Sequence, residues 1–131
     1  VSANLETAKK LYEAVATGDI PALLASSDES IVWWEPEELP YGGTRQGHDA
    51  VMRFFAEEFP PHYEDFRAEA EEFIDGGDQI VVIGHYHGRA RGGDDLGDPH
   101  FVHVWDFRDG KVVRYRDFTD KAAKLAAAVA A

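Results

Sequence analysis

The chain has no cysteine, so it can build neither a disulfide framework nor a thiolate metal site. Basic residues are scarce: 13 Lys and Arg stand against 25 Asp and Glu, for a formal charge of −12. A field of that sign repels phosphate backbones and anionic headgroups, so neither nucleic acid nor a membrane surface is an expected partner. Long apolar runs are missing too. QIVVIG is far too short to span a bilayer, and the first residues lack the basic and apolar blocks of a signal peptide. No Gly-rich phosphate loop follows a strand and no Gly-x-Ser-x-Gly elbow occurs, so no cofactor and no serine acyl chemistry are expected. Together these absences predict a soluble, cytoplasmic protein.

The 131 residues suit one domain, 1–131, and the composition, 44% apolar and 12% aromatic, is enough for a packed core. ANLETAKKLYEAVATGD carries Leu5, Ala8, Tyr12 and Val15 at helical spacing, with Gly18 placed to close the helix in the left-handed region. Asp19 can cap a short second helix through PALLAS. SIVWW shifts to β-branched and aromatic residues, the composition of a strand. After a turn segment, PYGGTRQG, HDAVMRFFAEEF returns to helical spacing, with Val51, Phe54 and Phe55 on one side, until Pro60 and Pro61 stop it.

HYEDFRAEAEEFI fits a helix and a strand equally. QIVVIGHYHGRA, HFVHVWDFRDG and KVVRYRDFT are strands, the last two joined by an Asp-Gly hairpin turn and the first two by the long loop RGGDDLGDP. Thr119 or Asp120 can cap an alanine-rich terminal helix. Helices first and antiparallel strands after imply an α+β domain, a strongly curved sheet packed against about three N-terminal helices. Such a cone has a cavity at its open end.

Alternation along strands sorts the candidates. Ile31, Trp33 and Glu35 share one face; Tyr115 and Asp117 share one; Phe101, His103, Trp105 and Phe107 share one. In the QIVVIGHYHGRA strand the bulkier set is Val81 and Ile83, which brings His85 and His87 inward with them. Trp33, Phe55, Phe101, Trp105 and Tyr115, with His85 and His87, are the expected wall of a binding cavity. Glu35, His103 and Asp117, buried among aromatic groups, are costly unless paired. A paired, partly dry carboxylate or imidazole is suited to proton transfer near neutral pH. The plain alternative for Glu35 is a strand-end carboxylate in water. His85 and His87 have a spacing that two ligands of one metal can take, but nothing as specific as a zinc motif accompanies them, and no metal is expected.

LYEAVATGDIPALLA, IVWWEPEELPYGGTRQGHDAVMRFF and HFVHVWDFRDGKVVRYRDFTD together resemble the SnoaL-like proteins of the nuclear-transport-factor-two-like superfamily. Its members include ketosteroid isomerase, scytalone dehydratase and the aklanonic ester cyclases. The resemblance implies a cone-shaped barrel and reads HYEDFRAEAEEFI as a strand. It implies Glu35, immediately before Pro36, as general base, and His103 and Tyr12 as oxyanion donors, His103 standing where the isomerase has a protonated aspartate and Asp117 orienting it. The expectation is a cofactor-independent isomerase, polyketide cyclase or dehydratase, acting on a small apolar or aromatic carbonyl compound. Its rival is a binding or protein-interaction domain on the same fold. Val82, Tyr86, Val102 and Val104 are the expected apolar patch of the outer sheet face, through which a homodimer would form.

Overall fold

A computed structural model describes residues 2–120 and Val129. The fold opens with α1, Ala3–Ala16, whose cap Ser2 accepts a hydrogen bond from the Leu5 N–H and ties the helix to Asp75. Gly18, at φ 75°, turns the chain into α2, Ile20–Ala25, capped by the Asp19 side chain. A third helix, α3, His48–Arg53, widens into a π turn in which the Phe59 N–H reaches the Phe54 carbonyl, and Pro60 and Pro61 end it. The expected C-terminal helix lies outside the described residues, except for Val129, which is helical and buried.

Six strands form one curved, unclosed sheet: β1 (Ser27–Glu35), β2 (Gly43–Gln46), β3 (Tyr63–Asp75), β4 (Gln79–Ala90), β5 (His100–Arg108) and β6 (Lys111–Thr119). Their order is β2-β1-β6-β5-β4-β3; β1 runs parallel to β6, and every other pairing is antiparallel. HYEDFRAEAEEFI is therefore strand, not helix. Its register slips between Ala70 and Glu72, a bulge of the kind that bends a sheet. Within PYGGTRQG, Gly43–Gln46 pairs with β1, so part of the expected turn is the edge strand β2. Helix α1 crosses β3 and β4, while α2 and α3 pack beside β1, leaving the concave face of the sheet partly uncovered.

The faces of β1, β5 and the end of β6 are as alternation predicts, with Ile31, Trp33, Glu35, Phe101, His103, Trp105, Tyr115 and Asp117 buried. β4 is reversed. Ile80 pairs with Trp105, Val82 with His103 and Gly84 with Phe101; residues directly opposite in an antiparallel pair share a face, so Val82 and Tyr86 point inward. Val81, Ile83, His85 and His87 consequently lie on the outer face. The outer apolar strip is Val81, Ile83, Val102 and Val104, rather than one containing Val82 and Tyr86. Gly84 is what allows this packing: a Cβ there would overlap the Glu69 carbonyl and come within 2.7 Å of the Phe101 ring.

Candidate functional site

Between α1, α3 and the concave face lies a cavity of about 550 Å³, a volume suited to a small organic ligand. Its lining is mostly apolar, from Leu11, Val15, Phe54, Phe55, Phe66 and Trp105, with a polar floor made by β1, β4, β5 and β6.

Glu35 is the last residue of β1, and its side chain is only 5% exposed. Trp33, two residues back on the same face, donates its indole N–H to Glu35 Oε2 at 3.0 Å, and its ring stacks on Tyr115 with centroids 3.9 Å apart. Burial pushes the Glu35 carboxyl well above the ordinary carboxylate range. The adjacent, hydrogen-bonded Asp117 carboxyl raises it further, while the Trp33 N–H and the Arg45 charge pull the other way. Glu35 therefore keeps its proton where a solvated carboxyl would have lost it.

Asp117 in turn accepts the Tyr86 hydroxyl at 2.6 Å and the Thr119 hydroxyl at 2.7 Å. Because Tyr86 spends its one proton on Asp117, it accepts at 2.6 Å from His103, whose Nε2 must then carry the hydrogen. Burial lowers the His103 pKa to about 4, against the pull of Asp117, so the ring is neutral and Nδ1 is bare. Nδ1 accepts from the Tyr12 hydroxyl at 2.7 Å, and Tyr12 accepts the Trp105 N–H at 2.9 Å. One directed chain results, from Trp105 through Tyr12, His103 and Tyr86 to Asp117. Phe101 stacks on the back of His103 with centroids 3.8 Å apart and holds the ring in place.

The structure thus gathers Glu35, His103, Asp117 and Tyr12, walled by Trp33, Trp105, Tyr115 and Phe55. Phe101 supports His103 from behind instead of lining the cavity. His85 and His87 are not in the site. On the outer face His85 meets Glu71 at 2.5 Å, and His87 lies between Glu69 and Asp98, each at 2.7 Å. Hydrogen bonds to Asp98 and then Glu69 raise the His87 pKa. The sheet therefore separates these two imidazoles from His103, and the three cannot share a metal; among the described residues no cluster of metal-binding side chains forms.

Sequence reasoning missed three tyrosines. Tyr86 was assigned to the wrong face, and Tyr41 and Tyr63 were not singled out. Those two are buried and share a hydroxyl–hydroxyl bond of 2.5 Å. Burial first, then neighbouring groups that include Glu35, raises both phenols. Tyr41 reaches the cavity through a double turn, in which the Pro36 carbonyl accepts from Leu39 and the Leu39 carbonyl from Gly42. The chain passes so close that a Cβ on Gly42 would overlap the Pro36 carbonyl. The glycines of PYGG were the one sequence signal for this turn.

No curated protein matches the chain. Among solved structures, an NTF2-like protein of unknown function from Burkholderia pseudomallei K96243 is 35% identical over 100% of both chains, with a TM-score of 0.91. TerC, co-crystallised with polyporic acid, is 30% identical over 99% of this chain and 100% of its own, with a TM-score of 0.87. A putative SnoaL-like polyketide cyclase from Jannaschia sp. CCS1 shares the fold at 21% identity, covering 98% of this chain and 92% of its own, with a TM-score of 0.81. With the SnoaL-like domain matched over residues 8–115, and the cone fold built as that family builds it, the chain belongs to the SnoaL-like domain family.

Proposed function

We propose that the cavity is the active site of a cofactor-independent acid/base enzyme of the isomerase, cyclase or dehydratase type, acting on a small, largely apolar carbonyl compound. The observation that carries this is the buried Glu35–Asp117 pair, with Glu35 raised well above the ordinary carboxylate range. A raised carboxyl is a stronger base than one in water, and it exchanges a proton with a carbon acid at lower thermodynamic cost. In its ionised form Glu35 takes the proton next to the carbonyl, and returning that proton to carbon or oxygen restores the carboxylate. The aromatic wall excludes water and holds the ligand against Glu35.

The test is deuterium incorporation into 2-tetralone, an enolisable aromatic ketone that fits the volume, followed by NMR in heavy water. Wild-type protein accelerates exchange, and Glu35→Gln loses about 10²–10⁴-fold of the acceleration, the usual worth of a positioned base. Exchange equal in wild type and variant would end this mechanism. A second reading, binding without chemistry, is favoured by TerC, a relative crystallised with a small molecule. It predicts that tetralone stabilises the fold while its protons exchange at the solution rate.

For assembly, the outer strip of Val81, Ile83, Val102 and Val104, continued by Phe118 at 45% exposure, supports a homodimer through the sheet face. No described helix is long and apolar enough to cross a membrane.

A further inference from the structure

The hydrogen-bond chain across the floor also decides which groups are free to meet a ligand. Tyr12 has one hydroxyl proton and gives it to His103 Nδ1; His103 has one ring proton and gives it to Tyr86; Tyr86 gives its own to Asp117. None of the three can donate to a carbonyl oxygen without breaking a buried bond, which costs about 1–3 kcal/mol for the group left unpaired.

Tyr115 differs. Its hydroxyl is in reach of the Tyr86 hydroxyl, but Tyr86 is already bonded to both His103 and Asp117, so Tyr115 can turn its proton to a ligand without leaving a buried partner unpaired. Tyr115 is among the residues that line the cavity. The ring is fixed on three sides: stacked on Trp33 at 3.9 Å, against Trp105 at 4.6 Å and edge-on to His103 at 5.1 Å. Trp33 is at once the residue that donates to Glu35, and it pairs with Tyr115 across β1 and β6. One indole therefore sets the spacing between the proposed base and a rigidly held phenol.

We infer that Tyr115 is the residue that donates to the ligand's carbonyl oxygen, and that Tyr12 and His103 act behind it as positioning residues. The inference rests on the reading of the cavity as a carbonyl-binding acid/base site. It implies a ligand that enters with a carbonyl oxygen directed at β6 and the carbon that loses its proton directed at the end of β1. A phenol held this way stabilises a developing enolate without ionising, since burial raises its own pKa well above that of free tyrosine.

The test is isotope-edited infrared difference spectroscopy of 2-tetralone, labelled at the carbonyl and bound to the purified protein. In wild type the C=O stretch falls below its value in an apolar solvent, because a hydrogen bond weakens the bond. Tyr115→Phe returns it towards the apolar value, while Tyr12→Phe leaves it low. A stretch that stays low in Tyr115→Phe, whether lost in Tyr12→Phe or not, overturns the assignment and leaves the carboxyl pair's role standing. Tetralone that fails to bind wild-type protein removes both. Should Tyr115→Phe bind too weakly for a spectrum, Tyr115 substituted by 3-fluorotyrosine decides the matter. Its more acidic hydroxyl lowers the stretch further if it donates and leaves it unmoved if it does not.

Discussion

His103 provides the sharpest quantitative consequence of the hydrogen-bond chain. An imidazole in the unfolded chain takes up a proton near pH 6.5, whereas the buried ring holds off until about pH 4. Between those values the unfolded state binds a proton that the folded state does not, so stability falls as pH falls through this window and levels off below it. At about 1.4 kcal/mol per tenfold in proton affinity, the interval is worth about 3 kcal/mol, a large share of a small domain's stability. The perturbation is His103→Gln, which removes the titration. Glu35 titrates with the opposite sign, because a raised carboxyl stabilises the fold as pH falls, but it does so in both proteins and cancels in the difference. Urea unfolding followed by tryptophan fluorescence, at a series of pH values from 7 to 4, gives that difference. The stability of wild type relative to His103→Gln should decline by about 3 kcal/mol across the series. A difference that stays flat with pH would mean that His103 is not a buried neutral ring, and the directed chain from Trp105 to Asp117 would fall with it.

Three further outcomes are expected. Trp33→Ala removes the stack on Tyr115 and the donor to Glu35 together; it should cost about 3–5 kcal/mol in thermal or denaturant unfolding and also weaken tetralone binding, and a loss of one without the other contradicts the arrangement. Gly84→Ala should unfold the protein well below the wild-type temperature, whereas Gly92→Ala, where a Cβ meets nothing within 4 Å, should not; equal melting temperatures would argue against the close approach of β3 and Phe101 to β4. Sedimentation at tens of micromolar should show a dimer that Val102→Asp converts to monomer, and a monomeric wild type refutes the proposed sheet-face assembly.

How much of this could be read from the chain depends on what fixed each register. The β5–β6 hairpin is closed by the two-residue Asp109–Gly110 turn, both at positive φ, with Arg108 opposite Lys111. A turn that short leaves no freedom. Counting back from it, through one slip near Phe107, sets Trp105 opposite Tyr115 and His103 opposite Asp117, so alternation placed these four correctly. Glu35 was legible because it follows Ile31 and Trp33 at every second residue of β1, on the face that the structure buries. The cone itself follows from helices that precede long antiparallel runs.

β4 had no such anchor. The loop RGGDDLGDP is long enough to accept either register, and the strand is apolar on both sides, with Ile80 and Val82 on one and Val81 and Ile83 on the other. Comparing side-chain bulk within β4 alone then favours the wrong face, because it counts Val81 and Ile83 and ignores what the neighbouring strand requires. The glycine was the better guide: Gly84 belongs opposite Phe101, where any side chain would collide with the ring and with the Glu69 carbonyl. That single slip had a chemical consequence beyond geometry. It put two imidazoles into the cavity that in fact pair with carboxylates outside it, and it left out Tyr86, the link through which Asp117 dictates the tautomer of His103. With His85 and His87 inside, the site would hold several exchangeable imidazole protons, and His103 would look like a ready donor. With Tyr86 inside, the protons of Tyr12, His103 and Tyr86 are all assigned, and a donor for the ligand has to be sought on β6.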